Sequence, residues 1–144
     1  MIYEPAKCPI RFGLGSFGDR WTLLIVRDLM FRGTTRFQEF LNAGEGISTN
    51  VLSDRLARLE EDGIVSRSPH SADRRQVGYG LTPKGHDLLP VMLAISSWSQ
   101  QWDPQTSVCD RFAADLRADF SAVCDEARHL APRALRARVT PEKA

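Results

Sequence analysis

The sequence predicts a mainly α-helical fold with one small β-hairpin and a helical C-terminal extension. Three observations predict it. Apolar residues recur at helical spacing over residues 19–31 and 48–62, each stretch lying between capping residues. After Gly63 the period changes to the short alternating runs of a hairpin. Helical spacing then resumes at Thr82-Pro83 and continues to about residue 130.

The elements follow in order. Trp21, Leu23, Leu24, Ile25, Val26, Leu29 and Met30 describe a mostly buried helix, with a turn and N-cap at Gly18-Asp19 and a stop at Gly33. Thr34 and Thr35 offer cap oxygens to a short helix over 36–41, where Phe37, Phe40 and Leu41 are spaced three and four apart. A turn over 42–46 leads to the clearest helix of the chain. Ser48 is its N-cap candidate, and Val51, Leu52, Leu56 and Leu59 form a single apolar stripe. Gly63 stops it by taking the left-handed conformation.

Residues 64–68, closed by Pro69, and residues 77–81 predict the two strands, with the polar segment 70–76 as a charged hairpin tip. Thr82 caps the next helix and Pro83 occupies its first position. That helix is expected to run through Leu88, Val91, Met92, Ile95 and Trp98, tolerate Pro90, and end near Trp102-Asp103-Pro104. One long amphipathic helix is expected over 106–130, carried by Val108, Phe112, Leu116, Phe120, Val123, Ala127 and Leu130. The Arg- and Ala-rich tail after Pro132 reads as frayed. The division expected is a domain over 1–102 with an N-terminal arm, and an extension over 103–144 assigned to dimerisation.

Composition narrows the function classes. The 144 residues, 42% apolar and 26% charged, describe an ordinary domain with its own core, neither disordered nor membrane-spanning. Residues 1–11 lack the apolar stretch of a signal peptide. Cys8, Cys109 and Cys124 are odd in number, far apart and without a CxxC pair, and the histidines add no ligand spacing. A reducing, cytoplasmic compartment without a metal or cofactor is therefore expected. Net charge is only +1, so a nucleic-acid role must rest on where the arginines sit.

Three helices followed by a hairpin is the order of a winged helix-turn-helix. In that arrangement one helix fits the major groove of double-stranded DNA, a second braces it across the backbone, and the hairpin reaches a neighbouring groove. The bracing helix begins at Arg36. The reading helix, 48–62, turns its leucines inward and leaves Asn50, Ser53, Asp54 and Ala57 outward, with Thr49 and Arg58 on the flanks. Small polar side chains near Ser48 suit base edges, asparagine pairing with adenine above all. Arg55 lies close to the apolar stripe and reads equally as a DNA contact or as a structural partner of an acid. At the hairpin tip Arg74 and Arg75 are expected on opposite faces, one toward phosphate or minor groove and the other paired with Asp73.

Cys8-Pro9-Ile10, Gly18-Asp19-Arg20-Trp21-Thr22-Leu23-Leu24-Ile25, Arg36-Phe37-Gln38-Glu39-Phe40, Gly46-Ile47-Ser48, Leu52-Ser53-Asp54-Arg55-Leu56, Leu59-Glu60-Glu61-Asp62-Gly63-Ile64 and Leu81-Thr82-Pro83-Lys84-Gly85 stand in that order. Together they resemble the HxlR-type family of bacterial winged-helix regulators, over residues 8–102. The tip Asp73-Arg74-Arg75 is closer to the MarR-type pattern. The resemblance implies a homodimer on a palindromic operator, joined through terminal helices; a repressor is expected more readily than an activator, because occupying an operator needs no further contact surface. The extension beyond Trp102 exceeds the usual family domain.

The resemblance also raises Cys8 as a redox sensor. Lys7, Arg11 and a helix start nearby would lower its pKa, whereas a small side chain packed at a dimer contact is the plainer reading. Trp21, Trp98 and Trp102 read either as lining for a small-molecule effector or as core and interface. An enzyme is not expected. Gly13-Leu14-Gly15-Ser16-Phe17-Gly18 fits GxGxxG superficially, but no strand precedes it, and no nucleophile–base set is present. The competing class is a winged helix that binds protein instead of DNA, which near-neutral charge would suit.

Overall fold

The computed structural model describes residues 5–140. A single 3₁₀ turn, Pro5–Lys7, precedes α1 (Pro9–Phe17), and α2 (Thr22–Arg27) runs on into a π turn, Asp28–Arg32. Then come α3 (Phe37–Leu41), α4 (Thr49–Glu61), β1 (Val65–Pro69), β2 (Val77–Leu81), α5 (Pro83–His86), α6 (Leu89–Trp102), α7 (Asp110–Ala118), α8 (Phe120–Ala127) and α9 (Pro132–Val139). The two strands pair antiparallel from Val65↔Leu81 to Pro69↔Val77. The expected order of helices and hairpin is present, and the winged-helix core is continuous. Val26, Phe40, Leu52, Leu56, Leu59, Ile64, Val65 and Leu93 are all buried within it.

Local chemistry explains the boundaries. The Asp19 side chain accepts the N–H groups of Trp21 and Thr22 at 2.8 and 3.0 Å, which satisfies the start of α2. Gly33 and Gly63 close the helices before them with φ of 68° and 70°, a left-handed backbone that other residues resist. Gly85 is required for a different reason. A Cβ there would meet the Ile64 carbonyl oxygen at 2.2 Å, so α5 can lie against the segment joining α4 to β1 only with glycine here. Thr82 and Lys84 fasten the same junction, the hydroxyl donating to the Gly63 carbonyl and Nζ to the Asp62 carbonyl at 2.6 Å.

Four expectations need correction. Neither threonine caps α3. Instead the Glu39 carboxylate reaches back to the N–H groups of Thr35 and Arg36 at 2.9 and 3.1 Å. The helix begun at Pro83 breaks after His86 and restarts at Leu89, because Pro90 has no N–H to return to the His86 carbonyl. The long helix over 106–130 is two helices, broken at Asp119. That residue is extended (φ −150°, ψ 86°), and its carboxylate caps α8 through the Ala122 N–H at 3.0 Å. The tail is not frayed over the described residues. α9 folds back onto the π turn with Leu135 and Val139 buried, and the Cys109 N–H donates to the Val139 carbonyl at 2.7 Å.

The extension thus buries its apolar residues within its own chain, including Phe112, Leu116 and Val123. The large apolar side chains left exposed lie mainly elsewhere. Ile10, Phe12 and Leu14 on α1 and Ile95, Trp98 and Trp102 on α6 are 45–73% exposed.

Candidate DNA interface

Ser48 starts α4 as expected, with an extended backbone and a hydroxyl that accepts the Val51 N–H at 3.3 Å. Buried Leu52, Leu56 and Leu59 hold one face against the core. The other face leaves Thr49, Asn50, Ser53, Asp54, Ala57 and Arg58 exposed. No acid lies in the first turn, where the positive end of the helix dipole favours phosphate.

α4 is tied at two points to the corner between α1 and α2. Arg55, half-buried, places Nε 3.1 Å from Asp19 Oδ1 and pairs its Nη1 with Asp54. Arg58 donates from Nη2 to the Gly15 carbonyl at 3.3 Å. Asp19 is the centre of this corner. Partial burial opposes its ionisation, yet the Thr22 hydroxyl, the N–H groups of Trp21 and Thr22, and the Arg55 guanidinium outweigh that and hold its carboxyl down at about 2. Of the two readings of Arg55, the geometry supplies the acid partner.

Arg36 stands at the start of α3, nearly half exposed, with Nη2 3.1 Å from Glu39. The Thr35 N–H, against partial burial and together with donors from Arg36, holds the Glu39 carboxyl below the usual range. The segment before α3 also carries the hairpin. Tyr79 N–H donates to the Thr35 carbonyl at 2.8 Å, Thr35 Oγ1 lies 3.2 Å from His70 Nε2, and the Phe40 and Tyr79 rings meet edge to face. These contacts fix the wing relative to α3. Sequence reasoning named Thr35 only as a cap candidate and did not single out Glu39 or His70 for this role.

At the tip, Arg74 and Arg75 are exposed. Asp73 engages Arg75 through the backbone, its carboxylate accepting the Arg75 N–H at 3.0 Å, while the Gln76 N–H closes the turn on the Asp73 carbonyl. Both guanidinium groups therefore extend from a braced loop. Cys8 is buried at 6% exposure, where it caps α1 and its Sγ accepts the Arg11 N–H at 3.4 Å. Trp98 and Trp102 are exposed on α6. Among the described residues no group of histidine, cysteine and carboxylate side chains could hold a metal, and no helix is long and apolar enough to cross a membrane.

Comparison with known proteins agrees with this geometry. Residues 16–107 match the family model described as HxlR-like helix-turn-helix. The HTH-type transcriptional regulator YvaP of Bacillus subtilis is 41% identical over 104 residues, covering 70% of this chain and 94% of that protein. A Synechocystis regulator of the same description is 34% identical over 69% of this chain and 73% of its own length. A Mycobacterium bovis one is 39% identical, but the chain spans only 54% of it. Among solved structures, the reduced form of the transcriptional regulator YodB from Bacillus subtilis superposes with a TM-score of 0.56 at 31% identity, over 69% of this chain and 98% of that one. The redox regulator HypR in its oxidized form gives 0.56 at 33%, over 65% and 96%. With a reading helix, a bracing helix and a wing in place, and with these matches over most of its length, the chain belongs to the HxlR-like helix-turn-helix family of transcriptional regulators.

Proposed function

We propose that the protein is a homodimeric, sequence-specific DNA-binding repressor acting on a palindromic operator. The observation that carries this reading is the exposed polar face of α4, free of acids in its first turn and beside a braced wing that presents Arg74 and Arg75. Ser48, Thr49, Asn50 and Ser53 face base edges in the major groove, and Arg36, Arg58 and the wing arginines take the phosphates. Arg55 contributes mainly by holding α4 to Asp19.

A second copy of the chain covers the apolar side chains of α1 and α6. Dimerisation then falls to the two ends of the 1–102 domain rather than to the 103–144 extension, whose apolar residues are already packed. Two α4 helices would thereby reach successive major grooves about one helical turn, roughly 34–36 Å, apart. Repression needs only that the operator be occupied, and a regulator of this kind works in the cytoplasm beside the genome.

The test is a gel shift on the protein's own upstream region at low and moderate salt with random DNA as competitor. A retarded band that survives competitor and weakens steeply with salt is expected. Absence of any band at low salt would favour a protein-binding winged helix, to be pursued by partner pull-down.

A second reading concerns Cys8. Its Sγ already engages the first-turn N–H of Arg11, and two structurally similar regulators, YodB and HypR, have solved structures in defined redox states. Peroxide would oxidise the Cys8 thiol to a sulfenic acid, releasing water, and change DNA affinity in the native protein but not in Cys8→Ser. An unchanged response in that variant removes Cys8 from the mechanism.

A further inference from the structure

We propose that His70 is the positioning residue of the wing, and that it presents Arg74 and Arg75 to DNA only while its imidazole is neutral. The side chain stands half-buried where the hairpin tip meets the segment before α3. Its ring lies against β2, with Cδ2 3.6 Å from where a Cβ on Gly78 would stand. Both ring nitrogens are engaged. Nδ1 accepts the Ala72 N–H at 3.2 Å, and Nε2 lies 3.2 Å from Thr35 Oγ1. A nitrogen that accepts carries no proton, so the neutral ring holds its proton on Nε2 and donates it to the Thr35 hydroxyl. One imidazole thus ties the tip, through Ala72, to the segment before α3, through Thr35. The ends of the tip are closed by backbone alone. The His70 N–H donates to the Gln76 carbonyl at 2.7 Å, and the Gln76 N–H to the Asp73 carbonyl at 3.0 Å.

Protonation is incompatible with this arrangement. An imidazolium bears a proton on each nitrogen, so Nδ1 would face the Ala72 N–H donor to donor, and the ring or the residues beside Ala72 must turn away. Imidazoles as a class change charge between about pH 5 and 8, so mild acidity is enough to loosen the tip. The charged and titratable groups on the elements around the ring are Arg36 and Glu39 at α3, Arg67 on β1, Tyr79 on β2, and Asp73, Arg74 and Arg75 at the tip. Arg36 and Glu39 pair with each other at 3.1 Å, and the Asp73 carboxylate accepts the Arg75 N–H. Acidification acts in the opposite sense at other histidines, where an added positive charge tightens phosphate contacts.

Because this positioning role rests on the DNA-binding reading, one measurement is made without DNA. NMR of the imidazole nitrogens in the free full chain at about pH 7.5 should show His70 protonated on Nε2 alone, and the Ala72 N–H should shift as that ring titrates. A proton on Nδ1 overturns the proposal and leaves the DNA-binding reading intact. Fluorescence anisotropy on a duplex from the chain's own upstream region then gives the affinity at about pH 7.5 and about pH 5.5, at fixed ionic strength. Native affinity should fall about three- to tenfold at the lower pH, the weight of one neutral hydrogen bond. The fall should vanish in Arg74→Ala/Arg75→Ala, which has no wing guanidinium left to position. His70→Asn keeps an oxygen for the Ala72 N–H and cannot gain charge. It should show no fall, and at the lower pH it should bind more tightly than the native chain, a reversal that loss of a merely structural side chain would not give. Native affinity that holds or rises on acidification, or the same fall in either variant, overturns the proposal. No binding at either pH overturns the DNA-binding reading and this role with it.

Discussion

Replacing Asp19 with asparagine removes one charge from the corner that holds the reading helix, yet keeps an oxygen able to accept the Trp21 and Thr22 N–H groups. The cap survives and the charge is isolated. The folded protein holds the Asp19 carboxyl at about 2, against 3.8 for the unperturbed group. At about 1.4 kcal/mol per pH unit, that gap favours the folded state by about 2 kcal/mol. Asp19 is only 24% exposed, so solvent screens little of the interaction. The sign follows from a lowered carboxylate. The stabilisation is complete above the unfolded value of 3.8 and is lost as pH falls through about 2. About half of it remains near pH 3. Urea unfolding of the native protein and Asp19→Asn at about pH 7 and about pH 3 measures both points. The variant should be less stable by about 2 kcal/mol at the first and about 1 kcal/mol at the second. A difference that does not change with pH, or one below about 0.5 kcal/mol at neutral pH, refutes the reasoning, since that is the range of an exposed ion pair.

Three further outcomes are expected. Asn50→Ala should lower affinity for the operator by about 1–3 kcal/mol in a gel shift and leave binding to random DNA unchanged, since a base contact carries sequence information and a phosphate contact does not; equal losses on both would deny Asn50 that role. Leu135→Ala should destabilise the protein by about 2–5 kcal/mol, a buried-leucine cost, and lower Tm measurably, whereas a frayed tail would show no change. Trp98→Glu on the exposed face of α6 should shift the protein from dimer to monomer in sedimentation, and an unchanged dimer would place the contact elsewhere.

The parts of this fold legible in the sequence are those set by neighbours along the chain. Ser48 as cap, the leucine stripe of α4 and the left-handed Gly63 all act within a few residues of one another, and the strand over residues 77–81 falls where its alternation indicates. Breaks imposed on a continuing apolar period were harder to see. Val123 and Leu116 stay in register across Asp119, so periodicity alone gave no sign that the backbone turns extended there. α9 was hidden by composition. Three arginines among 133–138 and the two alanines between them obscure the Leu135–Val139 pair that faces the core. In the candidate interface, the exposure of Asn50 and Ser53 follows directly from the helical wheel. The Asp19–Arg55 tie spans 36 residues and the Thr35–His70 contact 35, and no local pattern specifies such pairings.

The return of α9 to the π turn bears on how the chain is made. Met30 and Phe31 emerge early in synthesis, but the helix that packs on their turn is completed roughly a hundred residues later. At about 5–20 residues per second, that surface waits roughly 5–20 s for its cover. The winged-helix domain can collapse in the meantime, leaving a greasy turn open to chaperones on a ribosome-bound chain. Any stop codon falling before Pro132 would make that exposure permanent, so truncated products should be cleared by quality control rather than persist as shortened regulators.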